Sequence, residues 1–221
     1  MAIIKSSMKQ LKTITIALVG ALTIISCKNE QGKTNKEQIE NNEVIIENQI
    51  QEGQKIIFQK NLTLQNITFD LSNTGEGSIS QLTIQPKGLE IDNKKITLEL
   101  EGQVTNAEIK DLNADGFPEI LIYTISAGSG SYGDVIGYSV NNGKSISQIY
   151  FPEISKNEEA CSGYMGHDEF AITETTLARR FPIYNDEDTN NNPTGGTRQI
   201  KYKLKDGETS RLFVIDKISE Y

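Results

Sequence analysis

Apolar and polar positions divide this chain into three stretches. Residues 14–25 are predominantly apolar, about a dozen residues that end at Ile24-Ile25-Ser26-Cys27. Residues 28–42 are Asn, Gln, Glu and Lys with almost no apolar side chain. Beyond them the pattern alternates with a period of two, the signature of strands with one buried face. Leu62, Leu64, Ile67, Phe69 and Leu71 alternate with one slip at Asn66, which predicts a bulge or a turn there. Leu82 and Ile84 alternate before Pro86-Lys87-Gly88, and Leu89 and Ile91 precede a hairpin turn predicted at Asp92-Asn93. Ile96, Leu98 and Leu100 follow, and Ile120 to Tyr123 is a continuous apolar run. Two further hairpins are predicted, one turning at Asn141-Asn142-Gly143 and one at Lys205-Asp206-Gly207-Glu208. Only residues 169–180 suggest a short helix. Many short strands with frequent turns predict an all-β fold, an antiparallel β-sandwich or flattened barrel with protruding loops. Residues 54–221 are long enough to form one such domain with its own core.

The first stretch has the parts of a secretory signal. Lys5, Lys9 and Lys12 precede an apolar run too short to span a bilayer. Ile24-Ile25-Ser26-Cys27 resembles a bacterial lipobox, so residues 1–26 are expected to be cleaved and Cys27 to carry the acyl groups, palmitate among them. Residues 27–53 then form a polar spacer between lipid and domain. The expected result is a domain tethered to a membrane without crossing it. Lys28, where an aspartate can signal inner-membrane retention, points to the outer membrane, facing the periplasm or the cell surface.

Charge and cysteine content narrow the chemistry. Removing residues 1–26 takes three of the 22 basic residues and none of the 30 acidic ones, leaving a net charge of −11. With no basic stripe, nucleic acid is not expected as a partner, whereas a basic protein would be drawn in. With Cys27 modified, Cys161 has no thiol to pair with and is expected to be buried or half-buried. His167 is the sole histidine. It lacks the second histidine of a zinc protease and a visible nucleophile elbow, so no enzyme is expected.

Asp111-Leu112-Asn113-Ala114-Asp115-Gly116-Phe117-Pro118-Glu119 places oxygen side chains at alternate positions before a glycine. Calcium favours such donors. Position 12 of an EF-hand loop would fall on Ile122, so the segment is not an EF-hand. It resembles the shorter calcium loops of integrin-type propeller repeats, which makes Asp111, Asn113, Asp115 and Glu119 candidate Ca2+ ligands. The competing reading is a turn whose Asp and Asn side chains cap their own backbone. Residues 185–193 read as an exposed acidic loop.

Between two apolar strands lies Ser126-Ala127-Gly128-Ser129-Gly130-Ser131-Tyr132. Glycines allow close approach to another surface, and hydroxyls offer protons to acceptors. This loop, together with residues 111–119 and 133–138 and more loosely residues 163–184 and 194–202, resembles the periplasmic inhibitors of invertebrate-type (I-type) lysozyme. The resemblance implies a β-sandwich-like domain that docks a protruding loop into the lysozyme cleft. The family's Ser-Gly-x-Tyr motif falls on Ser129, Gly130, Ser131 and Tyr132. It implies that Ser129 and Tyr132 meet the enzyme's catalytic groups and that a second loop, with Tyr164, His167 and Asp168, flanks or supports the first. A glycosidase works through two carboxyl groups, and hydroxyl donors can satisfy those without offering a bond to cleave. The alternative is a calcium-binding adhesion or carbohydrate-binding module centred on residues 111–119.

Overall fold

A computed structural model of the chain describes residues 55–221. The signal segment, Cys27 and the spacer lie outside the described residues. The regular structure described is nearly all strand, arranged as three successive antiparallel meanders. The first sheet runs β1 (Ile56–Leu64), β2 (Ile67–Glu76), β3 (Ile79–Lys87), β4 (Ile96–Leu100). The second runs β5 (Gly102–Lys110), β6 (Glu119–Ser126), β7 (Gly133–Asn141), β8 (Ser145–Ile149). The third is β9 (Glu169–Thr173), β10 (Thr176–Pro182), β11 (Thr197–Lys205) and β12 (Leu212–Glu220), in spatial order β12-β11-β10-β9. Between the second and third sheets lie a 3-10 turn, Ile154–Lys156, and one helical turn, α1 (Glu158–Cys161). Asn157 caps that turn by accepting a hydrogen bond from the Ala160 amide at 2.8 Å.

The second sheet has an apolar core on each face, and β6 shows why. Ile120 and Ile122 enter one core with Phe69, Leu71, Leu82 and Ile84 from the first sheet. Leu121 and Tyr123 enter the other with Leu177, Phe181, Ile200, Tyr202 and Phe213 from the third. A strand covered on both sides reads as a continuous apolar run rather than as alternation, which is the pattern at residues 120–123. The strands of the first sheet have one buried face and alternate instead. In β2, Ile67, Phe69 and Leu71 point inward and their neighbours are half-buried. The fold is thus the all-β sandwich type built from open sheets, with no closed barrel among the described residues. A buried polar stitch joins the first two sheets. Asn73 donates to Ser80 Oγ at 2.9 Å, Ser80 Oγ donates to the Gly102 carbonyl at 2.6 Å, and the Val104 amide donates to Asn73 Oδ1 at 3.0 Å.

One local expectation is narrowed to its turn alternative and two are corrected. The slip at Asn66 is a two-residue hairpin turn, with Gln65 and Asn66 both left-handed at φ 51° and 63°. Asp92-Asn93 is not a tight hairpin turn but part of a longer connection, residues 88–95, in which Asn93 brackets the backbone of Leu89. Its Oδ1 accepts from the Leu89 amide at 2.9 Å and its Nδ2 donates to the Leu89 carbonyl at 2.7 Å. Residues 169–180 hold no helix; they form β9 and most of β10, and Glu174, left-handed at φ 56°, makes the turn. Arg179 and Arg180 obscured the period of two there, because Arg179 takes an inward position between Leu177 and Phe181. The hairpins at residues 141–143 and 205–208 form where expected.

Candidate functional site

Residues 126–132 connect β6 to β7 and project from the second sheet. The loop closes on itself. The Ser126 amide donates to the Tyr132 carbonyl at 2.8 Å, the Tyr132 amide to Ser126 Oγ at 3.0 Å, and the Ser131 amide to the Gly128 carbonyl at 3.1 Å. Ser126 therefore spends its hydroxyl on the loop's own shape. Ser129 is exposed and Tyr132 is 50% exposed. Among the described residues the hydroxyls of Ser129, Ser131 and Tyr132 engage no partner in the chain. The Tyr132 ring lies over Gly130, where a Cβ would sit 2.4 Å from the ring. Only glycine permits that closeness.

The second expected loop stands directly beside the first. The His167 amide donates to the carbonyls of Gly130 at 2.9 Å and Ser131 at 3.1 Å. Gly166, at φ 91°, approaches so closely that a Cβ there would sit 2.0 Å from the Gly130 carbonyl oxygen. Tyr164 meets Tyr132 edge to face at 5.7 Å. Asp168 accepts at one carboxylate oxygen from the Gly133 amide at 2.7 Å and the Tyr164 hydroxyl at 2.6 Å, and at the other from Arg179 Nε at 2.6 Å. Arg179 Nη2 donates to the Tyr164 hydroxyl at 2.7 Å. The side chains of Arg179 and Asp168 are 4% and 0% exposed. The Arg179 guanidinium also lies against the rings of Tyr164, Phe170 and Phe181 at 4.9, 5.4 and 5.8 Å. Burial would lower the Arg179 pKa, but the Asp168 carboxylate overrides it and holds the guanidinium's pKa above its ordinary value. Burial, and after it the hydrogen bond to Asp168, push the Tyr164 hydroxyl up, so it stays protonated as a donor. The structure brings Ser129, Gly130, Ser131, Tyr132, Tyr164, His167 and Asp168 into one assembly, in which Tyr164 and Asp168 brace from beneath and the 126–132 loop is presented.

Two members of this assembly escaped the sequence reading. Arg179 carried a signal: a charged residue at the inward phase of an apolar strand needs a buried partner. Asn190, on the acidic loop, carried none. Its Nδ2 donates to the Ser129 carbonyl at 2.9 Å, its Oδ1 lies 3.2 Å from His167 Nε2, and its own carbonyl accepts from the Tyr184 hydroxyl at 2.9 Å. His167 thus faces an amide, and the half-buried Cys161 has its Sγ 3.7 Å from the Glu158 carbonyl.

Asp111, Asn113, Asp115 and Glu119 each accept from a nearby backbone amide. Asp111 accepts from the amides of Asp115 at 3.2 Å and Gly116 at 3.0 Å. Asp115 accepts from the Phe117 amide at 2.9 Å and pairs with Arg211 Nη2 at 2.6 Å. Asn113 bonds both the amide and the carboxylate of Asp115. Glu119 is fully buried and faces the strands, accepting from the Leu112 amide at 2.8 Å and from Ser139 Oγ at 2.6 Å. No three His, Cys, Asp or Glu residues gather to hold a metal among the described residues. The segment caps its own turn, the Asp115 charge is met by Arg211, and Glu119 is committed to Leu112 and Ser139. Calcium titration is expected to leave the melting temperature unchanged, since a real site at a thousandfold excess over Kd would add about 4 kcal/mol. A rise in melting temperature with calcium, reversed by chelator, would restore the metal reading.

Glu119 gives a pH prediction. Burial pushes its carboxyl up, partly offset by the bonds from Ser139 and Leu112. A carboxyl raised on folding binds its proton more tightly in the folded state. It therefore supports folding most below its unfolded pKa, and that support is lost as pH rises through the folded value. Glu119→Gln cannot ionise and lacks this slope. Urea unfolding across pH 4 to 8 is expected to show wild-type stability falling relative to Glu119→Gln as pH rises; a constant difference would refute the assignment.

No family model, no curated protein and no solved structure matches the chain.

Proposed function

We propose that this protein is a lysozyme inhibitor, an interaction protein that inserts its 126–132 loop into the active-site cleft of an I-type lysozyme and so blocks peptidoglycan hydrolysis. The observation that carries the reading is the pairing of free hydroxyls with a rigid base. Ser129 and Tyr132 present hydroxyls that no described residue engages, on a loop held by a buried Arg179–Asp168 pair and a wall of backbone hydrogen bonds. A preorganised loop gives up little freedom on binding. Two hydroxyl donors suit the two carboxyl groups of a glycosidase site, and a tyrosine anchor supplies contact area with few rotatable bonds. The acidic balance of the domain would steer it to a basic enzyme. Set on a lipid at Cys27, the domain would stand at the outer membrane, facing the periplasm or the cell surface.

The test is an inhibition assay with the purified chain against I-type, chicken-type and goose-type lysozymes. Strong inhibition of the I-type enzyme, with weaker effect on the others, is expected. No inhibition of any class would refute the function.

A further inference from the structure

The 185–194 loop has no role in the inhibitory reading above, yet its Asn190 is tied to the centre of the candidate site. Asn190 uses all of its polar atoms except the amide nitrogen of its backbone on three other segments: Nδ2 on the Ser129 carbonyl, Oδ1 on the His167 ring, and its carbonyl on the Tyr184 hydroxyl. The residue is half-buried. His167 in turn stacks on Tyr184, centroids 6.3 Å apart, while its amide holds the Gly130 and Ser131 carbonyls. The loop carrying Asn190 is itself fixed. Asp188 accepts from the amides of Asn185 and Thr194, both at 2.8 Å, and from the Thr194 hydroxyl at 2.7 Å. Those bonds hold the Asp188 carboxyl below its ordinary value. Asn185 Nδ2 also donates to Thr194 Oγ1 at 2.8 Å. A rigid loop therefore reaches across 61 residues of sequence to the backbone of Ser129. Ser129 lies at the exposed tip, where the loop's own hydrogen bonds do not reach: they run between Ser126, Gly128, Ser131 and Tyr132.

We infer that Asn190 is a positioning residue, which fixes the conformation of the Ser129–Tyr132 tip from outside and so sets the rate at which the loop engages its lysozyme partner. The inference rests on the proposed inhibitory function for its second half only. Asn190 acts on the Ser129 backbone, and the Ser129 side chain remains free to meet the partner. Without the tether, the tip samples other shapes, and only the fraction in the native shape binds. Apparent affinity then falls by that fraction, and the loss appears in association. A residue that touches the partner behaves in the opposite way, since lost interface contacts raise the dissociation rate.

The experiment compares the full chain with Asn190→Ala and Asn190→Asp. The aspartate keeps the shape and an acceptor for His167 but removes the donor to Ser129. Two readouts are taken. Amide hydrogen exchange needs no partner: the Ser131 and Tyr132 amides are expected to exchange about tenfold faster in both variants, with the β6 amide of Ile122 unchanged. Binding kinetics against an I-type lysozyme are expected to show association slowed about tenfold and dissociation altered less than twofold. Unchanged exchange at Ser131 and Tyr132 in both variants overturns the inference whatever the inhibition assay shows. Faster exchange combined with a change confined to dissociation overturns the kinetic half and makes Asn190 a contact residue. If the wild-type chain binds no lysozyme, the proposed function falls, and the exchange readout alone decides whether Asn190 positions the tip.

Discussion

Replacing Asp168 with alanine is expected to destabilise the domain by about 3–5 kcal/mol, the cost of leaving a buried charge without its partner. The Arg179 guanidinium is 4% exposed, and Asp168 is its only carboxylate partner among the described residues. Removing Asp168 also strips the acceptor from the Gly133 amide and from the Tyr164 hydroxyl. Gly133 is the first residue of β7, immediately after the presenting loop. The damage therefore lands at the junction of loop and sheet. Arg179→Ala is expected to cost a similar amount by exposing the carboxylate to the same penalty. Asp168→Leu combined with Arg179→Met removes both charges, and its cost is expected to be well below the sum of the single variants, because an apolar pair of similar volume fits such a site. Urea unfolding midpoints of the four chains measure this directly. Single-variant losses below about 1 kcal/mol would show that the pair does not brace the site.

The second large effect concerns binding and not stability. Tyr132→Ala is expected to weaken inhibition of an I-type lysozyme by about 30-fold or more, the loss of a central aromatic anchor worth about 2 kcal/mol. Half of the Tyr132 surface faces solvent, and its hydroxyl has no partner among the described residues. Its ring meets Tyr164 edge to face and covers Gly130 and Gly166 at the surface. Melting temperature is thus expected to hold while the inhibition constant rises. Ser129→Ala is expected to weaken inhibition in the same direction by a smaller factor, because it removes one hydroxyl and no packing. Unchanged inhibition constants in both variants would refute loop insertion.

What could be read from the sequence follows from how local each feature is. Strands with one buried face announced themselves, as β2 does with Ile67, Phe69 and Leu71. The unbroken run at residues 120–123 marked a strand, but its cause, a core on each face, required the first and third sheets to be seen together. β5 was not identified because a bulge between Val104 and Asn106 shifts its inward residues to Val104 and Ala107. β10 was misread because a buried arginine interrupts its apolar phase. At the candidate site, the hydroxyl loop was visible as composition. Its bracing was not, since Asp168, Arg179 and Asn190 reach it from elsewhere in the chain. Spacing and resemblance make Glu119 a candidate calcium ligand, and its bonds to Ser139 and Leu112 become visible only in the folded strands.

The central claim is that the 126–132 loop occupies the lysozyme's substrate cleft. Binding of the chain to an I-type lysozyme, titrated in the presence of an N-acetylglucosamine oligomer that fills that cleft, tests it most directly. The account predicts that the apparent Kd rises in proportion to oligomer concentration, as two ligands for one cleft require. An apparent Kd that stays constant while the oligomer saturates the enzyme would contradict it.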